Sequence, residues 1–337
     1  MSTPETPDAP EARKGPGDVL AQLRRGVLIG LGVGALVYLA FSLHAEVGSV
    51  WADLKAFRWW LLAPVLGLSL TNYAVRFMRW QLYLRKLQLE VPRRESALIF
   101  VSGLAMTITP GKVGELLKSW LLRERRGIPM ARTAPVVIAE RVTDLLALVL
   151  LAALGVGSLY EQGLATVITA GAALGAAVLV LQSERLALGI IGVVGKAPGA
   201  GGIAEKLSEM YTSAAALLSS GTLVAGLALA TAAWTLECTG LWVVFRGSGV
   251  QASLFSASFI YAFSTIAGVV SPGGLGITDG LLVVLSTHLV EGATRSVAVS
   301  AAFIIRLCTL WFAVGLGALV LMTSKVEGTP SAEPGGD

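Results

Sequence analysis

Two Pro-Gly breaks inside long apolar runs constrain this chain more than any other feature. They are Thr109-Pro110-Gly111-Lys112-Val113-Gly114-Glu115 and, 162 residues later, Ser271-Pro272-Gly273-Gly274-Leu275-Gly276-Ile277. A tryptophan, Trp80 or Trp242, precedes each break at the same distance. Backbone groups freed by such a break find no partner in lipid, so at membrane depth the break has to line a protein-enclosed, wet cavity. Two breaks in matching positions of two halves are the pattern of a midplane site in an inverted-repeat transporter.

That reading requires a membrane protein, and composition supplies one. The 337 residues are 54% hydrophobic and only 14% charged, with a mean hydropathy of +0.72, whereas soluble domains carry about 25% charged residues. The expected fold is an all-α polytopic membrane protein: six full spans plus two broken re-entrant helical hairpins arranged as an inverted repeat. The spans fall at about 26–44, 59–84, 133–158, 164–182, 222–245 and 296–323, each near the ~20 residues a bilayer needs. The hairpins fall at about 96–122 and 252–290, although Ala252–Ser271 is long enough to cross by itself. Repeat units run about 59–158 and 222–323, joined by an amphipathic connector at about 183–221 that is expected at the cytoplasmic interface. Residues Ser102 and Ser264 keep the repeat's offset, and Arg306 matches Arg141 after a shift of three. Within 24–325 lies the transmembrane domain; polar segments 1–23 and 326–337 read as disordered tails. No cleavable signal peptide is expected.

Basic residues orient the chain. Arg24, Arg25, Arg85, Lys86, Arg93, Arg94, Arg123, Arg125, Arg126 and Arg132 belong to one side, Lys55, Arg58, Arg246 and Arg295 to the other. Both termini are then cytoplasmic, in a bacterial inner (cell) membrane, and the hairpins enter from opposite faces. The net charge of +4 follows this topology and implies no nucleic-acid partner. Cys238 and Cys308 sit in apolar runs as small fillers, not as a disulfide framework. Trp51, Trp59 and Trp60 read as interfacial belt residues. No metal cluster, nucleophile elbow or Walker loop is present, so neither catalysis nor a cofactor is expected.

Ionisable groups inside spans cost roughly 2.5–3.5 kcal/mol each at the bilayer centre. Asn72, Arg76, Arg79 and Tyr83 recur at helical spacing on one stripe; Arg79 is near enough to an end to snorkel, and Arg76 is deeper. Glu140, Arg141 and Asp144 share one arc, with Arg141 and Asp144 spaced to pair. They are either a structural pair between spans or a cavity wall. Arg306 has no acid near it in sequence, which makes Glu237 of another span its expected partner. Helices restarting near Val113 and Ile277 would aim positive N-terminal ends into the cavity, with Lys112 adding charge. Glu115, Lys118 and Asp279 are either capping groups or gates.

The ordered set Arg79-Trp80, Thr109-Pro110-Gly111-Lys112-Val113-Gly114-Glu115 with Lys118, Glu140-Arg141 with Asp144, and Pro272-Gly273-Gly274-Leu275-Gly276 with Asp279 resembles the lysylphosphatidylglycerol synthase transmembrane family over roughly residues 20–325. The resemblance implies a stand-alone flippase-like domain without the soluble aminoacyltransferase, so synthase activity is not carried over. It implies a membrane-lipid translocase whose cavity is lined by these motif residues. The headgroup expected is anionic, from an aminoacyl-phospholipid or a polyprenyl-phosphate-linked sugar. Two alternatives stand beside it: a secondary transporter of a small soluble anion, and a non-transporting partner that presents lipid to a separate glycosyltransferase or other lipid-modifying enzyme.

Overall fold

The structure, a computed structural model, describes residues 47–109, 114–159 and 212–323, with isolated positions between 165 and 176. The expected span at 26–44, most of that at 164–182, most of the connector, both tails, and the motif residues Pro110, Gly111, Lys112 and Val113 lie outside the described residues.

Helix follows helix among the described residues, in the order apolar periodicity predicts. A short helix α1 (Val47–Ala56) leads through a 3-10 turn (Trp59–Leu61) into α2 (Leu62–Lys86). The first hairpin is α3 (Arg93–Leu104), closed by a 3-10 turn (Ala105–Ile108), then α4 (Leu117–Arg126), after which α5 (Met130–Leu159) follows. The order then recurs. Helix α6 (Ser220–Gly247) precedes a second hairpin of α7 (Leu254–Ala267), two 3-10 turns (Gly268–Val270 and Pro272–Gly274) and α8 (Ile277–Leu289). The last helical stretch comprises α9 (Arg295–Arg306), a π turn (Leu307–Trp311) and α10 (Phe312–Thr323).

Among the described residues, three stretches are long and apolar enough to cross a membrane: Trp59–Lys86, Ser220–Gly247 and Arg295–Thr323. The segment expected at 133–158 lies within the 30-residue helix α5, which is not one of these three stretches. The four hairpin limbs have 12, 10, 14 and 13 residues. At 1.5 Å per residue they reach roughly 15–21 Å, short of a ~30 Å hydrocarbon layer. Ala252–Ser271 is therefore not one long helix, because α7 ends at Ala267 in a 3-10 turn. The first hairpin restarts at Leu117, later than the sequence suggests, after a 3-10 turn over 114–116.

The two halves pack as mutual exchanges. The first long helices, α2 and α6, make the most extensive pairing. Helix α5 lies on α7 of the other half, and α10 lies on α3 and its 3-10 turn in return. A glycine permits each crossing. A Cβ on Gly155 would sit 2.6 Å from Phe259 Cβ and 2.8 Å from the Phe255 carbonyl; one on Gly317 would sit 2.7 Å from the Val101 carbonyl. These glycines are 162 residues apart, the offset of the Pro-Gly motifs. Trp80 and Trp242 are also equivalent in use. Each ring N–H donates to the start of its own hairpin, to Ser96 Oγ and to the Ala252 carbonyl, both at 3.0 Å.

The tips of the two hairpins touch. Ile108, at the end of the first 3-10 turn, packs with Leu275, Leu310 and Val314, and Gly273 lies directly against it. Trp51, Trp59 and Trp60 remain exposed at one end of the bundle, as belt residues should. Cys238 and Cys308 are buried free thiols.

Candidate functional site

Both hairpins border one cavity of about 260 Å³, walled further by α2, α5, α6 and α9–α10. Of the residues singled out from the sequence, the cavity is lined by Asn72, Arg76, Arg79, Glu115, Lys118, Glu140, Arg141, Asp144, Glu237, Gly273, Gly274 and Arg306. Gly114, Pro272, Gly276 and Asp279 do not line it: they form the hairpin turns and their caps.

On α2, helical spacing aims Asn72, Arg76 and Arg79 inward. Asn72, wholly buried, donates to the Ala233 carbonyl of α6 at 2.6 Å and accepts from Arg76 Nε at 2.9 Å. That bond holds the Arg76 guanidinium over the Trp234 ring at 4.5 Å and within 3.4–3.5 Å of Glu237 and Asp144. Arg79 does not snorkel. It is 1% exposed and donates to Asp144 at 2.8 Å and to Thr143 at 3.1 Å. An arginine so deep needs a carboxylate, and α5 supplies one.

Asp144 is the hub. Beside Arg79 and Arg76 it meets Arg141 at 3.0 Å and accepts the Trp234 indole N–H at 3.1 Å. The i, i+3 pair expected from the sequence therefore forms, but inside a larger network. Lys118 of α4 crosses to Glu140 at 2.6 Å and lies 3.5 Å from Glu115, under the rings of Trp80 and Phe100. Its path depends on Gly103, where a Cβ would stand 2.6 Å from Lys118 Cγ. Glu115 also accepts from Arg141 at 3.2 Å.

The expected Arg306–Glu237 pair is not formed. Arg306 lies 2.9 Å from Asp279 and donates to the Gly273 carbonyl, while Glu237 faces Arg76 and accepts from Tyr261 at 2.6 Å. The reason is packing: α8 lies alongside α9, which puts the acid in its first turn beside Arg306, whereas α6 turns Glu237 toward α2. Asp279 is both cap and latch, since its second oxygen accepts the Gly276 N–H at 3.0 Å. Gly273 and Gly276 have φ of +59° and +85°, so the turn that presents this carbonyl needs glycine.

Each half thus uses an arginine on a later helix to clasp an acid near the start of its hairpin's second helix, Arg141 to Glu115 in the 3-10 turn before α4 and Arg306 to Asp279 in the first turn of α8. Five cations (Arg76, Arg79, Lys118, Arg141, Arg306) face five carboxylates (Glu115, Glu140, Asp144, Glu237, Asp279) among the described residues.

Several wall residues were not singled out from the sequence: Tyr73, Trp234, Tyr261, Thr265, Thr278 and Thr309. Tyr73 donates to the Thr309 carbonyl in the π turn at 2.8 Å, where widened helix geometry frees backbone acceptors. For Trp234 and Thr309, spacing of three residues from Glu237 and from Arg306 on the same helical stretches could have marked them; the others carried no such signal.

The sequence matches the family described as the lysylphosphatidylglycerol synthase TM region over residues 27–317. A UPF0104 membrane protein of Methanothermobacter thermautotrophicus (strain Delta H) is 25% identical over 295 residues, covering 79% of this chain and 86% of the relative. A second protein so described from the same organism is 28% identical over 138 residues, covering 40% of this chain and 36% of the relative. The chain belongs to the lysylphosphatidylglycerol synthase transmembrane family and is a membrane protein.

Proposed function

We propose that this member of the family is a lipid translocase, moving a lipid with an anionic headgroup between leaflets rather than catalysing a reaction. The headgroup enters the cavity between the two hairpins while the hydrocarbon tails stay in the bilayer. One observation carries this reading: both hairpins border a single cavity, the first through Thr109 and Glu115 and the second through Ser271, Gly273 and Gly274, and this cavity also gathers buried charges of both halves. Buried charge at membrane depth is costly to keep, and in a membrane domain it marks a substrate path by default. The exchanged packing of the halves supports an inverted repeat, with hairpins entering from opposite faces and one half rocking against the other. The bias of arginines to one side of the sequence supports cytoplasmic termini, and the reading places the chain in a bacterial inner membrane. An aminoacyl-phospholipid and a polyprenyl-phosphate-linked sugar both carry the required phosphate; a separate enzyme would make or consume either.

The full chain, purified in detergent, should retain lipids bearing phosphate headgroups above their abundance in the host membrane. Reconstituted into liposomes, it should expose such a lipid, labelled on its tail, to a headgroup-directed enzyme added outside, faster than protein-free liposomes do. Equal rates with and without protein, together with unselective lipid retention, reject the proposal.

A further inference from the structure

We infer that Arg141 receives the anionic group of the ligand while the other cavity cations hold the site's shape, an inference that rests on the translocase reading above. The distinction comes from what each cation leaves behind when it turns away. Glu140 is matched by Lys118 at 2.6 Å and Glu237 by Arg76 at 3.4 Å. Moving Lys118 or Arg76 takes the cation from a carboxylate that makes no second ion pair among the described residues, a strongly unfavourable state in a buried site. Arg306 is tied to the Gly273 carbonyl and to Asp279, so its departure undoes the second hairpin's turn. Arg79 is held by Asp144 and Thr143 and is almost inaccessible.

Arg141 combines two features that none of the others has together. Both of its carboxylates have another cation: Glu115 keeps Lys118 at 3.5 Å, and Asp144 keeps Arg79 at 2.8 Å and Arg76 at 3.5 Å. Its side chain is 26% exposed, against 12% or less for the other four cations. Like the other four it borders the cavity, and like that of Arg79 its Nε is buried without a hydrogen-bond partner, so what sets it apart is the shared counter-charge and the exposure. Arg141 can therefore swing its guanidinium onto a ligand while every carboxylate it leaves retains a counter-charge. A guanidinium fork offers paired N–H donors that match two oxygens of a phosphate. The ligand chemistry is a phosphate ester or a free phosphate, accepted by exchange within a charge-balanced network and not by an empty cationic pocket.

The test is thermal unfolding of the full chain in detergent with three additives: dioleoyl phosphatidate, dioleoylglycerol with the same chains but no phosphate, and inorganic phosphate. Wild type should be stabilised by phosphatidate and not by dioleoylglycerol. Arg141→Gln should unfold close to wild type without additive and lose the phosphatidate shift. Lys118→Met should lower the additive-free transition clearly. Arg141→Lys should bind about tenfold more weakly, since the charge stays but the fork is lost, and it decides the matter if Arg141→Gln does not fold. The inference is overturned if Arg141→Gln keeps its phosphatidate shift, if Arg141→Lys keeps full affinity, or if wild type responds to neither phosphate source. A shift with inorganic phosphate alone, lost in Arg141→Gln, upholds the role of Arg141 and rejects the lipid reading.

Discussion

Arg306 Nε lies 2.9 Å from Asp279 Oδ1, and the other oxygen of that carboxylate accepts the backbone N–H of Gly276 at 3.0 Å. One acid thus joins the last helical stretch to the cap of α8, while Arg306 reaches the Gly273 carbonyl from the same position. Neither residue is near the other in sequence. The second Pro-Gly turn owes its fixed shape to this pair.

Asp279→Asn should destabilise the fold by roughly 3 kcal/mol, the scale for removing one partner of a buried ion pair. Arg306→Gln should cost a similar amount, and the double variant should cost less than the two together by more than ~1 kcal/mol. Unfolding of the four proteins in one detergent checks this. Simple additivity would mean that the pair does not act as a unit.

Gly155 and Gly317 should be equivalent in effect although they lie in different halves. Alanine at either position forces α5 off α7 or α10 off α3, with an overpacking cost of about 1–3 kcal/mol. Valine should abolish the monodisperse peak in size-exclusion chromatography at both positions. A large effect at one glycine and none at the other would contradict the exchanged packing.

Gly103→Ala should act on Lys118. The added methyl meets Lys118 Cγ and Cδ, pushing the ammonium away from Glu140. Stability should fall by about 1–3 kcal/mol, and Glu140→Gln in the same chain should recover part of the loss, because the carboxylate left behind is then neutral. No recovery would show that the steric contact alone accounts for the change.

Much of this architecture was legible because it depends on patterns along the chain. The offset between the hairpins, the stripe on α2 and the arc on α5 each reduce to spacing, and the structure brings both hairpins together with Asn72, Arg76, Arg79, Glu140, Arg141 and Asp144 onto one cavity. The offset between Gly155 and Gly317 was equally present, but a glycine in an apolar helix carries no mark until the opposing backbone is known. Pairings across helices were not legible. Arg306 and Glu237 were matched by charge alone, whereas the actual partners depend on which helices are neighbours and at what axial register. Tyr73, Trp234 and Tyr261 escaped for a related reason: aromatic residues in spans read as core or interface until a carboxylate or a π-turn carbonyl is seen beside them.

The central claim, a chamber between the hairpins open in turn to each side, is tested most directly by cysteine labelling in sealed vesicles. With Cys238 and Cys308 replaced by alanine, single cysteines at Thr107 and Thr265 border the cavity, while cysteines at Val224 and Leu319 occupy exposed apolar positions. A charged, membrane-impermeant methanethiosulfonate should modify the Thr107 and Thr265 positions when added to either face, and leave the other two unmodified. Labelling of the cavity positions from one face only, or from neither, would contradict a passage shared by both hairpins.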